Sequence, residues 1–152
     1  MTKTAHTPAY SVGRLDPQDE AQARRCFRVF AFLRPHLNED EFVRRLRVQA
    51  QEGYAVAYIE LEGEVAAAAG YRAAHFMAWG RVLYIDDLVT DPSRKNKGLG
   101  GALLDWLLAE ARARECDEVH LDTGFQRHDA HRLYLKKGFI LSCHHLSQPS
   151  RK

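Results

Sequence analysis

The sequence predicts an α/β (α+β) fold: a mixed, mostly antiparallel central sheet flanked by helices on both faces, in the order β-α-α-β-β-β-α-β-α-β. Three observations carry this. Two amphipathic runs stand side by side before residue 53, where apolar residues recur at helical spacing. YAVAYIEL, EGE and VAAAAGYRA then read as two β-rich runs joined by a short turn. After residue 98 the pattern alternates between helix and strand. At 152 residues there is room for one compact domain, placed at 9–147 behind a disordered start at 1–8.

YSVGRL (10–15) alternates enough for a short strand. Asp16-Pro17 then signals a helix start, with the acids Asp19 and Glu20 in the first turn. Cys26, Phe27, Val29, Phe30 and Phe32 follow at helical spacing, and Pro35 ends the run. Asn38 is an N-cap candidate for a second helix, EDEFVRRLRVQAQ, closed by Gly53. Beyond the hairpin, RVLYIDDLV (81–89) is a strand stopped by Asp91-Pro92. The helix after Gly98 sets Leu99, Leu103, Trp106 and Leu107 on one face, with Arg112 and Arg114 where cations complement the helix dipole. EVHLDT (118–123) is a strand, DAHRLYLKK a short helix capped by Asp129, and GFILSCHHL a last strand.

Composition bounds the function. With 45% hydrophobic and 28% charged residues the chain has material for a core and a solvated surface. A net charge of +2 and the absence of a basic face disfavour a nucleic-acid partner. No apolar run approaches the ~20 residues of a membrane span, and no signal-peptide pattern opens the chain. Cys26, Cys116 and Cys143 are odd in number and lack CxxC spacing, so a cytoplasmic protein with reduced thiols is expected. His128 and His131 lie at i, i+3 and His144 adjoins His145, but no ligand set completes either pair, so no metal is expected.

The stretch DPSRKNKGLGGALL concentrates Arg94, Lys95, Asn96 and Lys97 ahead of Gly98, Gly100 and Gly101. A helix N-terminus leaves about four N–H groups without partners, and glycine lets an anion approach them. With these cations the turn suits a phosphate or pyrophosphate; the alternative is a solvated basic turn. A P-loop is excluded because Gly101 leads into Ala102 and Leu103, and Leu103 takes the place of the third glycine of a dinucleotide fingerprint.

KNKGLGGALL closely resembles the [Q/R]-x-x-G-x-[G/A] signature of the GCN5-related N-acetyltransferase (GNAT) family, with Lys95, Gly98 and Gly100 at the defining positions and Lys95 in place of Gln or Arg. LYIDDLVTDP resembles the family's fourth strand, and DAHRLYLKKGF its late A-x-x-x-Y-x-x-x-G-F element. The resemblance is good over 81–145; before that it lies in element order alone. It implies acetyl-CoA as cosubstrate. Leu88, Val89 and Thr90 would hold the pantetheine arm, and backbone groups of Lys95, Asn96, Lys97, Gly98, Leu99, Gly100 and Gly101 the pyrophosphate. Arg127 stands where the family often has a pantetheine-binding Asn. Family members often dimerise, so a homodimer is an expectation.

Direct transfer needs an uncharged amine, stabilisation of the oxyanion and a proton for the departing thiolate. Asp86 and Asp87 interrupt an apolar strand, where buried charge is costly without a partner. Adjacent strand residues face opposite sides, so one of the two is expected to face a given cleft. A salt-bridging role is open for each. YIDDLV is similar to YLED-type sequence in diamine acetyltransferases, which implies Asp86 as base or water-holder and Asp87 as a substrate or structural contact. Tyr134 occupies the family's usual general-acid position; a core-packing ring is the alternative. RHDAHRLYLKKGF is similar to the same region of aminoalkylphosphonate N-acetyltransferases, implying that Arg127, His128 or Arg132 contacts an anionic substrate group.

The expected activity is acetyl transfer to a primary amine of a small molecule. A non-catalytic acyl-CoA-binding or regulatory module, or a protein or peptide N-acetyltransferase, are the competing readings.

Overall fold

The computed structural model describes residues 10–151; the start expected to be disordered, 1–8, lies outside them. The chain divides into one compact unit that ends at His120 and a second that begins at Leu121.

In the first unit the elements are β1 (Val12–Arg14), α1 (Glu20–Leu33), α2 (Glu39–Gln51), β2 (Ala55–Leu61), β3 (Glu64–Phe76), β4 (Gly80–Thr90), a single 3-10 turn (Pro92–Arg94) and α3 (Leu99–Ala113). β5 (Glu118–Leu121) crosses the boundary, and α4 (His128–Lys136) belongs to the second unit. The five strands lie in the sheet in sequence order, and the pairs β1–β2, β2–β3 and β3–β4 are antiparallel. Among the described residues no helix is long and apolar enough to cross a membrane.

Local chemistry sets the boundaries, and three expectations move. Asp16-Pro17 makes a turn rather than a helix start: Asp19 N–H donates to the Asp16 carbonyl, and the Asp19 side chain then caps α1 through Gln22 N–H at 3.0 Å. Asp129 sits inside the first turn of α4; the N-cap is Arg127, with no side-chain cap. GFILSCHHL is not a strand. A strand persists only through ladder hydrogen bonds to a neighbour, and residues 139–149 make no such ladder, leaving Ile140, Leu141 and Leu146 exposed. Asn38 caps α2 as expected, accepting from Glu41 N–H at 2.9 Å.

β3 holds the first unit together because both its faces are covered. Val65 to Tyr71 is a continuous buried run, the pattern of a central strand. One face meets α1 and α2: Val56, Ala68 and Val89 cluster with Cys26, Val29, Phe30, Phe42, Val43 and Leu46, and the Phe30 and Phe42 rings lie 4.9 Å apart. Cys26 is fully buried there, and burial pushes its thiol up to about 12, so it is an inert packing group. On the other face Tyr71 packs edge-on to Trp106 of α3 at 5.9 Å. Glu110 of α3 is buried and receives Arg14 of β1 and Arg114, each at 2.6 Å, which fastens the edge strand to the helix.

The register of β3 against β4 matters most for the site. Gly70 faces Asp87, but the next pair is Tyr71 with Ile85, so Asp86 is left without a cross-strand partner. This is a β-bulge, one extra residue on β4, which re-aims the side chains on either side of it.

Candidate active site

The bulge corrects a premise drawn from ideal strand geometry. Asp86 and Asp87 do not diverge to opposite faces; both join one cluster, Asp87 through Arg34 and Tyr54 and Asp86 through Arg72 of β3, which lies over the Tyr54 ring and bonds Gln49 of α2. Asp87 is the more deeply placed, with a side chain 11% exposed against 26% for Asp86. Its Oδ1 receives Arg34, from the C-cap of α1, through Nη2 at 2.7 Å and Nε at 2.9 Å. Its Oδ2 accepts from the Tyr54 hydroxyl at 2.7 Å. Both oxygens are committed.

Asp86 differs. Its Oδ2 accepts from Arg72 Nε at 3.0 Å, and among the described residues no protein donor engages Oδ1. Arg34 Nη2 donates to its backbone carbonyl at 3.3 Å. Burial raises the Asp86 pKa above the ordinary aspartate range; Arg72 pulls it down and the neighbouring Asp87 charge adds to the rise. Tyr54 is buried at 6% exposure. That burial, with the Asp87 charge second, holds its phenol well above its usual value, so it remains a donor.

Gly70 makes this geometry fit. A Cβ there would fall on the Tyr54 hydroxyl and ring, because that ring crosses β3 on its way to Asp87. Arg72, two residues on, lies over the Tyr54 ring at 5.2 Å and donates through Nη2 to Gln49 of α2 at 2.7 Å. Sequence reasoning passed over Arg34, Gln49, Tyr54, Gly70 and Arg72. Two of them carried a signal: a lone glycine inside a strand marks a bulge or close approach, and an arginine in GYRAA needs a partner.

The remaining β4 residues enter a different environment. Leu88, Val89 and Thr90 pair with Ala69, Ala68 and Ala67, and the Val89 side chain is spent on the core beneath α1. Only backbone and outward atoms of this stretch are left for a ligand. Asp91 ends the strand by accepting from Ser93 N–H at 2.8 Å.

In the turn before α3, Asn96 has φ +64° and Gly98 φ +73°, with Lys97 between them outside the left-handed region. Such alternation turns successive N–H groups toward one concavity, an arrangement suited to anions. Gly98 is the N-cap of α3 and supplies no side-chain acceptor, so protein side chains leave the first helical N–H groups open. Lys95 and Lys97 are exposed, and no salt bridge holds either among the described residues. Arg94 instead pairs with Glu62 at 3.3 Å. Leu99 is buried beneath the turn and anchors it. These residues fit a phosphorylated ligand such as the pyrophosphate of a coenzyme.

In the second unit, Tyr134 of α4 is half-buried with its ring 5.8 Å from Phe139. Burial raises its phenol pKa, against a smaller opposing effect of Arg127. His131 Nε2 lies 2.9 Å from the Gly124 carbonyl, and Arg132 pairs with Asp129. His145 Nδ1 lies 3.3 Å from Asp122. No group of three or more His, Cys, Asp or Glu side chains is placed to hold a metal among the described residues.

Fold and sequence together define an acyltransferase. The chain matches the Acetyltransferase (GNAT) family over residues 19–139 and belongs to it. It is 32% identical over 123 residues to the uncharacterized N-acetyltransferase YhdJ of Bacillus subtilis, covering 80% of this chain and 87% of that protein. Over 55 residues, 36% of each chain, it is 38% identical to an aminoalkylphosphonate N-acetyltransferase of Salmonella typhimurium. An aminoglycoside N-acetyltransferase, AAC(6')-Iy, solved in complex with CoA, shares the fold with a TM-score of 0.81, over 94% of this chain and 95% of that one at 14% identity.

Proposed function

We propose that the protein is an N-acetyltransferase that moves an acetyl group directly from acetyl-CoA to a primary amine of a small molecule. The observation that carries this reading is Asp86: a carboxylate on a bulge, partly withdrawn from water, with one oxygen held by Arg72 and the other uncommitted. Membership of the family supplies the chemistry this group would serve.

An alkyl amine has a pKa of about 10.4 and arrives as ammonium. Asp86 takes that proton, directly or through a water, and its raised pKa makes it a stronger base than an ordinary aspartate. The amine lone pair then forms the new C–N bond at the thioester carbonyl. The C–S bond breaks, the thiolate takes a proton from Tyr134, whose phenol is protonated at neutral pH, and the acylated nitrogen gives up its extra proton to the phenolate, directly or through a water, which restores the acid. The products are an N-acetyl amide and CoA with a free thiol. The turn from Lys95 to Gly101 receives the pyrophosphate, and the backbone of Leu88, Val89 and Thr90 the pantetheine arm. The aminoglycoside and aminoalkylphosphonate enzymes among its likenesses support a small-molecule acceptor. Three unpaired cysteines support a reducing compartment such as the cytoplasm.

The ion pairs of Asp86 and Asp87 also suit a module that binds acyl-CoA without catalysis. Following thiol release against pH separates the two readings. An enzyme should lose turnover at neutral pH in Asp86→Asn and recover in part at high pH, where free amine is plentiful. A binding module releases no thiol beyond the background in any variant.

A further inference from the structure

We propose that Arg72 is a positioning residue for Asp86, holding Oδ2 so that Oδ1 alone is presented to the amine, while Asp87 is withdrawn from the reaction as the anchor of the bulge. This rests on the reading of Asp86 as the base.

A carboxylate on a bulged strand is free to rotate unless one oxygen is fixed. Arg72 fixes it with Nε at 3.0 Å, and Arg72 is itself held on three sides. Gln49 of α2 accepts from Nη2 at 2.7 Å, the Tyr54 ring lies under the guanidinium at 5.2 Å, and Glu52 stands 3.9 Å from Nη1. The planar fork therefore transmits the orientation of α2 and Tyr54 to the Asp86 carboxylate, which a flexible ammonium would not do.

Asp87 has the opposite character. Arg34 and Tyr54 take both its oxygens, and Arg34 extends to the Asp86 carbonyl, so the same guanidinium secures both residues of the bulge. The charged and titratable groups around Asp86 are then Arg34 from the end of α1, Glu52 at the end of α2, Tyr54 before β2, Arg72 on β3 and Asp87 beside it on β4. Burial and Asp87 favour the protonated acid; Arg72 and Arg34 favour the carboxylate that accepts a proton. Losing Arg72 removes both the aim and the larger of the two cationic influences.

The test uses Arg72→Gln and Arg72→Lys in the full chain. Carboxyl-carbon NMR titration follows the aspartates without substrate, with Asp86 assigned through Asp86→Asn, and pH–rate profiles are recorded alongside. Arg72→Gln should raise the Asp86 midpoint by about 1–3 units, within the range an adjacent cation produces. The acid limb of kcat/KM, which reports the free enzyme, should move by the same amount. Arg72→Lys should restore most of the midpoint but leave kcat about tenfold low at the plateau, with KM little changed, because charge returns without the fork. An unmoved midpoint and limb in both variants, with circular dichroism showing them folded, overturns the proposal. A wild type that acetylates no amine overturns the proposed function instead, whatever the titration shows.

Discussion

Gly70→Ala adds one methyl group at the centre of the first unit, and its consequence follows from the path of Tyr54. The added Cβ would occupy the space of the Tyr54 hydroxyl and the adjoining ring carbons. Tyr54 is buried, so the ring has little room to yield, and any yielding lengthens the 2.7 Å bond to Asp87. Overpacking of this kind costs about 1–3 kcal/mol. Losing a hydrogen bond to a charged group adds roughly 1.5–3 kcal/mol. The sum, about 2.5–6 kcal/mol, corresponds to a fall in Tm on the order of 5–24 °C for a chain of this size. Urea unfolding should be measured for Gly70→Ala, Tyr54→Phe and the pair. In the Phe background the hydrogen bond is already gone, so the alanine should cost about 1.5–3 kcal/mol less than in wild type. A Gly70→Ala protein within about 0.5 kcal/mol of wild type, or strictly additive effects, would refute the crossing of Tyr54 over β3.

Asp86 and Asp87 should respond oppositely to neutralisation. The folded-state pKa of Asp86 is raised, so its stabilising contribution is complete below the unfolded value of about 3.9 and is lost as pH rises through the folded value. Asp86→Asn should therefore be at least as stable as wild type at pH 7, with the difference shrinking in acid; Asp87→Asn, which removes the charge facing Arg34 and leaves one acceptor oxygen where Arg34 and Tyr54 used two, should lose about 1–3 kcal/mol in urea unfolding. Reversing Lys95 and Lys97 together to Glu should weaken CoA affinity at least tenfold by calorimetry, and wild-type affinity should fall with salt; unchanged affinity removes the turn from the coenzyme site. Tyr134→Phe should lower kcat by about 10²–10⁴-fold with stability and acetyl-CoA affinity nearly unchanged. Turnover within about threefold of wild type, with chemistry rate-limiting, would end the acid assignment.

The order of elements up to α4 was legible because hydrophobic period and capping residues are local. Asn38 announces α2, and Gly63 permits the positive φ of the β2–β3 turn, where Glu62 is also left-handed. The last strand misled for the converse reason: GFILSCHHL has strand composition, but pairing is a property of two segments and composition reports one. The acids of β4 drew attention because charge in an apolar strand needs explaining. Their common facing did not, since a bulge depends on what lies across the sheet, here Gly70 and Tyr71. Arg34 lies 53 positions before Asp87, and Tyr54 33 before it, separations at which no local pattern links acid to partner.

The most direct measurement is a product assay with purified protein, acetyl-CoA and a panel of amines: polyamines, aminophosphonates, aminoglycosides, amino acids and peptide N-termini. Mass spectrometry identifies any acetylated product, and thiol release is followed in parallel. The account predicts at least one small-molecule amine converted to its N-acetyl amide, in amounts equal to the thiol released, with Asp86→Asn and Tyr134→Phe both impaired. Tight CoA binding with no acetylated amine across the panel would contradict it and leave a coenzyme-binding module in its place.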